Sequence, residues 1–337
     1  MTNQFRSAQI ATEGPVEAVE TCFERGWTDG LPVMPPTPQR VAEFLDVVAL
    51  EPDEVIGAVP TREMVVTAEK VAINAVMAGC LPEYMPVVVA ACRAMCDEQF
   101  NLHANSGTLS GAAQIVIVNG PVRKELGVNC GLGVFGPGFR ANATIGRAVR
   151  LVIRNVARSI PGFLDRAAFS YPGRYTWCFG ENEEESPWVP LHAERGLSPE
   201  ASAVTLFAAM DPVKATGLHP KSPEAFLDRA AFLVRTVWTY QQSSSYDSCR
   251  SLLAVIGLEH MNLCRQAGWS KADIRNYLFP RLRAPDNGWE FRSPIASPDN
   301  ILVVAAGGPA VMQSWFMVPF PSHGPVTCPI EPARRMS

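Results

Sequence analysis

The stretch Asn129 to Gly146, NCGLGVFGPGFRANATIG, gathers the residue types best placed to do chemistry. Glycines and Arg140 stand directly before a run with helical periodicity. The free N–H groups and positive dipole end of that helix would suit a carboxylate or phosphate. Gly138, Arg140, Asn142 and Thr144 are therefore candidate substrate contacts, against the plainer reading of a Gly-rich loop capped by Asn142 or Thr144. The stretch matches neither GxGxxG after a strand nor GxxxxGK[ST], so no nucleotide is implied and no cofactor is specified. Asn119-Gly120-Pro121 and Gly307-Gly308-Pro309 each follow an apolar strand-like run, where glycine lets backbone approach a ligand or simply turn; Asn119, Gly307 and Gly308 join the candidates on that ground.

Two thiols could act as nucleophiles. Cys80, in AGCLPE, lies where one helix stops and the next starts with Pro82, and a thiolate is favoured near a helix N-terminus. Cys130 sits inside the Gly-rich loop. Inert packing is the competing reading for both. His103, in FNLHANSG, could combine with Glu183, Glu184 and His192 as an acid/base or metal constellation, with solvated surface charge the alternative for ENEEES. The five histidines are too scattered for HExxH, and the nine cysteines include no CxxC pair.

These residues need elements to position them. The pattern predicts helices at Val16–Arg25 and Pro38–Val48, separated by the Pro-rich GWTDGLPVMPPTPQR, a rigid loop that either lines a site or packs Trp27 and Met34 on the core. A strand at Val55–Val59 follows, then helices at Met64–Gly79 and Pro82–Cys96, a strand at Gln114–Asn119 and a helix at Asn142–Ala157. In that last helix Ile145, Ala148, Val149, Val152, Ile153 and Val156 form one apolar stripe. Residues 159–202 are turn-rich. Beyond them come a strand at Ala203–Met210, a helix at Pro223–Gln241, a strand at Ser251–Leu258, a further helix, a helix at Ser270–Leu278 and a strand at Ile301–Ala306. No repeat of fixed period is visible. The expected fold is α/β, in two lobes that each hold a parallel or mixed sheet flanked by helices: an N-terminal lobe at 1–160, a connection or lid at 161–202 and a C-terminal lobe at 203–337.

The chain has 337 residues, 47% of them hydrophobic and 18% charged, with net charge −4 and pI near 5.8. That is enough apolar surface for an independent core, and no basic run suits nucleic acid. Pro82, Glu83 and Pro86 interrupt the most apolar stretch before the roughly 20 residues a bilayer requires. No apolar segment follows a basic start, so the expected setting is the cytoplasm, with no membrane partner. The apolar run Ala310–Phe320 predicts either a strand completing the second sheet or a homodimer contact.

As a set, GWTDGLPVMPPT at 26–37, EKVAINAVMAGCLPEYMPVVVAA at 69–91, VNGP at 118–121, FGPGFRANATIGRAVRL at 135–151, ENEEESPWVPLH at 181–192, GWSKADIRNYL at 268–278 and VVAAGGP at 303–309 resemble the large N-terminal module of the UGSC-type (seleno)protein family. The resemblance implies thiol or selenol chemistry on a small substrate. The U/C-G-S-C motif that names the family is missing, which implies a separate thiol or selenol redox subunit as partner. The expected function is that of a thiol-dependent enzyme for a small anionic organic substrate, with Cys80 or Cys130, His103 and Glu184 in catalytic roles. Two alternatives stand beside it: a thiol-independent lyase or hydrolase, metal-assisted through His103, Glu184 and His192, and a non-catalytic binding subunit of a redox complex.

Overall fold

A computed structural model of the chain describes residues 5–216, 219–239, 251–282, 295–320 and 324–333. Helix α1 is Pro15–Glu24 and α2 Pro38–Val48. Pro38 occupies the first turn of α2, where its missing N–H costs nothing, and the Thr37 hydroxyl accepts the Arg40 N–H. The Pro-rich loop between them is tied to the body of the protein by Arg147, whose guanidinium grips the Asp29 carboxylate at 2.8 and 2.9 Å. Trp27 and Met34 nevertheless stay exposed.

Strands β1 (Val55–Val59) and β2 (Met64–Thr67) form an antiparallel pair. Here the structure differs from the helix expected to begin at Met64. The β-branched run Val65-Val66-Thr67 pairs across the turn, with Val66 buried and Val65 exposed as a strand's alternation requires. Helix α3 then runs Ala68–Ala78 and stops at Gly79, which has φ +87°. Helix α4 is Met85–Cys96 and α5 Leu102–Ser106.

The second sheet is built from β3 (Ala113–Asn119), β4 (Cys178–Gly180), β5 (Ala203–Thr216), β6 (Leu252–Ile256), β7 (Ile301–Ala305), β8 (Gln313–Pro319) and β9 (Val326–Pro329). Between them lie α6 (Val122–Glu125), α7 (Arg140–Asn155), α8 (Leu191–Glu194), α9 (Pro223–Thr239), α10 (Leu258–Gln266) and α11 (Lys271–Leu282). The class is mixed α/β, as expected; the strands of both expected lobes share this sheet, in the order β4-β3-β5-β8-β6-β7, with β9 also on β5. The predicted helix end at Gln241 lies outside the described residues.

The sheet is a topological duplication. In each half the first strand lies between a parallel neighbour and an antiparallel one: β4-β3-β5 in the first, β7-β6-β8 in the second. The two units join where β5 meets β8.

Alternation divides the side chains into two faces. One set, including Ile115, Ile117, Phe179, Phe207, Val255, Val304 and Met317, forms a single cluster to which β3 through β8 all contribute. The opposite set packs against α3, α4 and α7 in the first half and against α9, α10 and α11 in the second. A backbone bond from Asn182 N–H to the Ala305 carbonyl, 2.7 Å, brings the chain just after β4 against the end of β7. The sheet thus curls round its inner cluster.

The apolar stretch at 310–320 supplies β8, paired on both edges by β5 and β6. Its hydrophobicity is accounted for inside the chain. Among the described residues no helix is long and apolar enough to cross a membrane.

The second half also buries a histidine. His260 stacks on Phe226 with ring centroids 3.9 Å apart, and its Nδ1 lies 2.9 Å from the Ser314 hydroxyl, which accepts the Gly257 N–H. Burial pushes its pKa down to about 4. Between that value and the ordinary value near 6.5 the unfolded chain binds the proton and the folded chain does not, so stability falls as pH drops through this window. The expected loss from His260 is roughly 3 kcal/mol by pH 4. Denaturant unfolding from pH 7 to pH 4 measures it, and His260→Gln should lose that part of the slope whatever its own stability.

Candidate active site

The carboxyl ends of β3, β4 and β7 converge, and the Gly-rich loop is wedged between them. Its Asn129 carbonyl accepts the Gly180 N–H at 3.1 Å and its Cys130 carbonyl accepts the Gly307 N–H at 2.8 Å. The loop therefore bridges β4 to the segment leaving β7. Glycine is required at 308 because a Cβ there would lie 2.5 Å from the Leu132 nitrogen. The close approach anticipated for this Gly-Gly pair is thus made to the chain's own backbone.

Helix α7 fastens the loop. The Asn142 amide clamps Asn129, accepting its N–H at 2.8 Å and donating to its carbonyl at 3.0 Å. Arg140 donates twice to the Gly79 carbonyl, at 3.0 and 3.1 Å, closing the end of α3, and the Thr144 hydroxyl donates to the Arg140 carbonyl. The first turn of α7 thus joins the two candidate cysteines, Cys130 through Asn142 and Cys80 through Arg140 and Thr144. Gly138, with φ +110°, makes the turn leading into the helix.

Around Cys130 lies a charged network. Arg123, on α6, is buried, and its Nη1 donates to the Cys130 sulfur at 3.8 Å. The same guanidinium grips Glu184 at 2.9 and 3.2 Å and reaches Glu183 at 3.2 Å. Glu183 also accepts the Gly120 N–H and the Asn119 amide N–H at 2.8 and 2.9 Å. Asn119 donates as well to Glu181, which is fully buried and receives the Leu191 N–H, both at 2.7 Å. Lys271, at the start of α11, closes the network from the second half, 3.3 Å from Glu181 and 3.1 Å from Glu194. One buried atom here, Asn119 Oδ1, has no partner among the described residues.

The protonation states follow from these contacts. Burial alone would lower the pKa of Arg123, but the Glu184 and Glu183 carboxylates outweigh it and raise it. The Arg123 hydrogen bond holds Glu184 down to about 2, despite partial burial. Glu184 is therefore ionised throughout the neutral range and a poor proton acceptor. Burial raises the Cys130 thiol, and the Arg123 charge opposes that rise. Cys80 is fully buried and pushed up to about 12, with only Thr144, Arg140 and Arg147 pulling it down.

Among the predicted residues, Asn119, Cys130, Glu183 and Glu184 meet directly, with Gly307 and Gly308 against the loop and Cys80, Arg140, Asn142 and Thr144 on the adjoining helix. His103 is apart. It lies on α5, where its Nδ1 accepts from Arg62 at 3.4 Å, and α5 meets the start of β3 through the Asn105 to Gln114 bond. Asn119 ends that seven-residue strand, so at ~3.3 Å per residue roughly 20 Å separates the two ends. His192, on α8, is fully buried with Nε2 3.3 Å from the Pro199 carbonyl. Among the described residues no group of three or more His, Cys, Asp and Glu side chains could hold a metal ion.

Four network members were not evident from sequence: Arg123, Glu181, Lys271 and Glu194. Arg123 and Glu181 each follow a strand end within four residues, the one signal that could have marked them.

No protein-family model matches the chain, and no curated protein matches it. Among solved structures it is similar to cyanuric acid hydrolase, described as an evolutionary innovation by structural concatenation, at 12% identity and a TM-score of 0.23. The likeness covers 65% of this chain, which spans 60% of that one.

Proposed function

We propose that this chain is a thiol-dependent enzyme acting on a small anionic organic substrate where the Gly-rich loop meets β4 and β7. Cys130 is the reacting thiol and Arg123 the fixed cation beside it. One observation carries the reading: Cys130 is partly exposed and touches a guanidinium. By contrast Cys80, Cys92, Cys178 and Cys264 are buried, and burial pushes their thiols well above the ordinary value. A cation at that distance stabilises the thiolate as it forms, and Glu184, permanently ionised, fixes the guanidinium's orientation.

The UGSC-type resemblance adds a partner. A separate thiol or selenol subunit would regenerate or relay the Cys130 sulfur, and the cytoplasm would keep that sulfur reduced. A homodimer is compatible with this site and is not needed to complete it.

Purified protein incubated with small carboxylates, phosphates, thiols, divalent metals and nucleotides tests the proposal through two readouts together. One carboxylate class should raise the melting midpoint and also slow alkylation of Cys130 by iodoacetamide. Protection of Cys130 by no member of the panel counts against this site, whatever the midpoint does; silence in both readouts removes the enzyme reading in favour of a subunit awaiting its partner.

A further inference from the structure

The segment that follows α7 carries a surface the fold does not use. Residues 140–175 hold seven arginines against one acid, Asp165, and that acid is paired with Arg174 at 2.7 Å. Arg158 and Arg166 are exposed, and neither has a carboxylate partner among the described residues. The Arg158 guanidinium lies 4.9 Å from the centre of the exposed Phe163 ring, and Arg166 donates to the Phe163 carbonyl at 3.3 Å. Phe169, 88% exposed, and Leu109, 70% exposed, adjoin this turn, where the Ala168 N–H donates to the Leu109 carbonyl. The last turn of α7 joins the patch to the N-terminal segment: Arg154 donates to the Gly26 carbonyl at 3.1 Å and Asn155 to the Trp27 carbonyl at 2.8 Å. There the pairing repeats, with Arg25 lying 5.9 Å from the centre of the exposed Trp27 ring. Exposed aromatic rings beside arginines are what the centre of a protein interface presents, and a guanidinium fork suits a carboxylate.

The matching charge stands on the same chain. Glu17, Glu20 and Glu24 recur at spacings of three and four along α1, so they share one face, and all are exposed without an Arg or Lys partner among the described residues. Like charges at that spacing weaken a helix unless a cation lies across them. Val16, 76% exposed, stands one turn before Glu20. An acidic helix with an exposed apolar residue thus ends at Glu24, and the arginine and aromatic patch begins at Arg25. Neighbouring surfaces of opposite charge are self-complementary about a two-fold axis that passes between them, because both contacts then form at once. An anionic membrane would attract the arginines but repel the glutamates beside them.

We propose that this surface joins two copies of the chain in an isologous dimer, with α1 of each set against Arg158, Phe163 and Arg166 of the other. Leu109 precedes β3 by four residues, so the patch lies at the start of that strand and Asn119 ends it. The interface therefore leaves the Cys130 site outside it.

Sedimentation equilibrium of the full chain at low salt should give a mass near twice the 36.6 kDa of one copy. Raising the salt from about 50 to about 500 mM should raise the dimer dissociation constant at least about tenfold. Reversing either side, by Arg158→Glu with Arg166→Glu or by Glu17→Lys with Glu20→Lys, should raise it roughly 100-fold or more, since like charges then meet at both contacts. All four residues are exposed, so each reversed chain should fold. Mixed in equal amounts, the two reversed chains should form a dimer with one of each, because every patch then meets an α1 of opposite charge; a misfolded variant does not give that result. A wild-type chain that keeps the mass of one copy at about 100 μM overturns the proposal. So does a dimer indifferent to either reversal, a failure of the reversed chains to pair, or a monomer that instead sediments with phosphatidylserine vesicles. Cys130 alkylation should be the same in all these chains, so this proposal and the thiol reading fail separately.

Discussion

Arg123→Met is expected to destabilise the fold by about 3–5 kcal/mol, the cost of leaving buried charge uncompensated. The guanidinium is almost wholly buried and is the cation shared by Glu183 and Glu184, its side chain 3% exposed against their 14% and 40%. Removing it leaves Glu183 beside the fully buried Glu181, with Asn119 and the Gly120 N–H as the remaining donors to Glu183. Lys271 still serves Glu181 but is shared with Glu194. Denaturant melts at pH 7 measure the loss. A change below about 1 kcal/mol would mean that the network is solvated rather than buried. Glu184→Gln should cost much less, because that carboxylate is the most exposed member and its pairing is screened by water.

The second large effect concerns the thiol. Once a substrate is in hand, Cys130→Ser should lower kcat/KM by at least about 10³-fold, as removal of a nucleophile does, and leave the melting midpoint within a few degrees. Cys80→Ser should show the reverse. It places a hydroxyl where a fully buried thiol sits against α7, so stability falls while the activity per folded molecule stays within a fewfold. Wild-type activity in both variants would end the thiol reading.

Much of this fold is legible in the sequence. The stripe through Ile145, Val149 and Val152 locates α7 to within two residues at each end, and Thr37-Pro38 locates the start of α2. The chain gave no such signal for β4. Its three residues are apolar like any short buried run, and its pairing with β3 is decided by contacts across more than fifty residues of chain. For β8 the hydrophobicity was visible but not its use, since a paired central strand and a subunit contact both read as an apolar run. Met64–Thr67 went to a strand because β1 was at hand to pair with it; local periodicity alone could not tell that from the first turn of α3.

The candidate site was legible in kind more than in detail. Glycines at strand ends were read as places where the backbone approaches a ligand or turns; at Gly308 the group that approaches is Leu132 of the same chain. Asn142 looked like a ligand contact and serves as the clamp on Asn129. The side chain most central to the electrostatics, Arg123, was unremarkable in sequence because its partners Glu183 and Glu184 lie sixty residues away. Residue type alone grouped His103 with residues from which the length of β3 separates it.

The most direct test of the account is the order in which native cysteines react. Brief iodoacetamide treatment at pH 8, quenched and mapped by peptide mass spectrometry, should label Cys130 at least about tenfold faster than Cys80, Cys92, Cys178 and Cys264. Its rate should rise with pH, as expected for a thiol raised above its ordinary value, and fall in Arg123→Gln, where the opposing charge is gone. Labelling of Cys130 no faster than that of the buried four, or a rate unchanged by Arg123→Gln, would contradict the assignment of this junction as the reactive site.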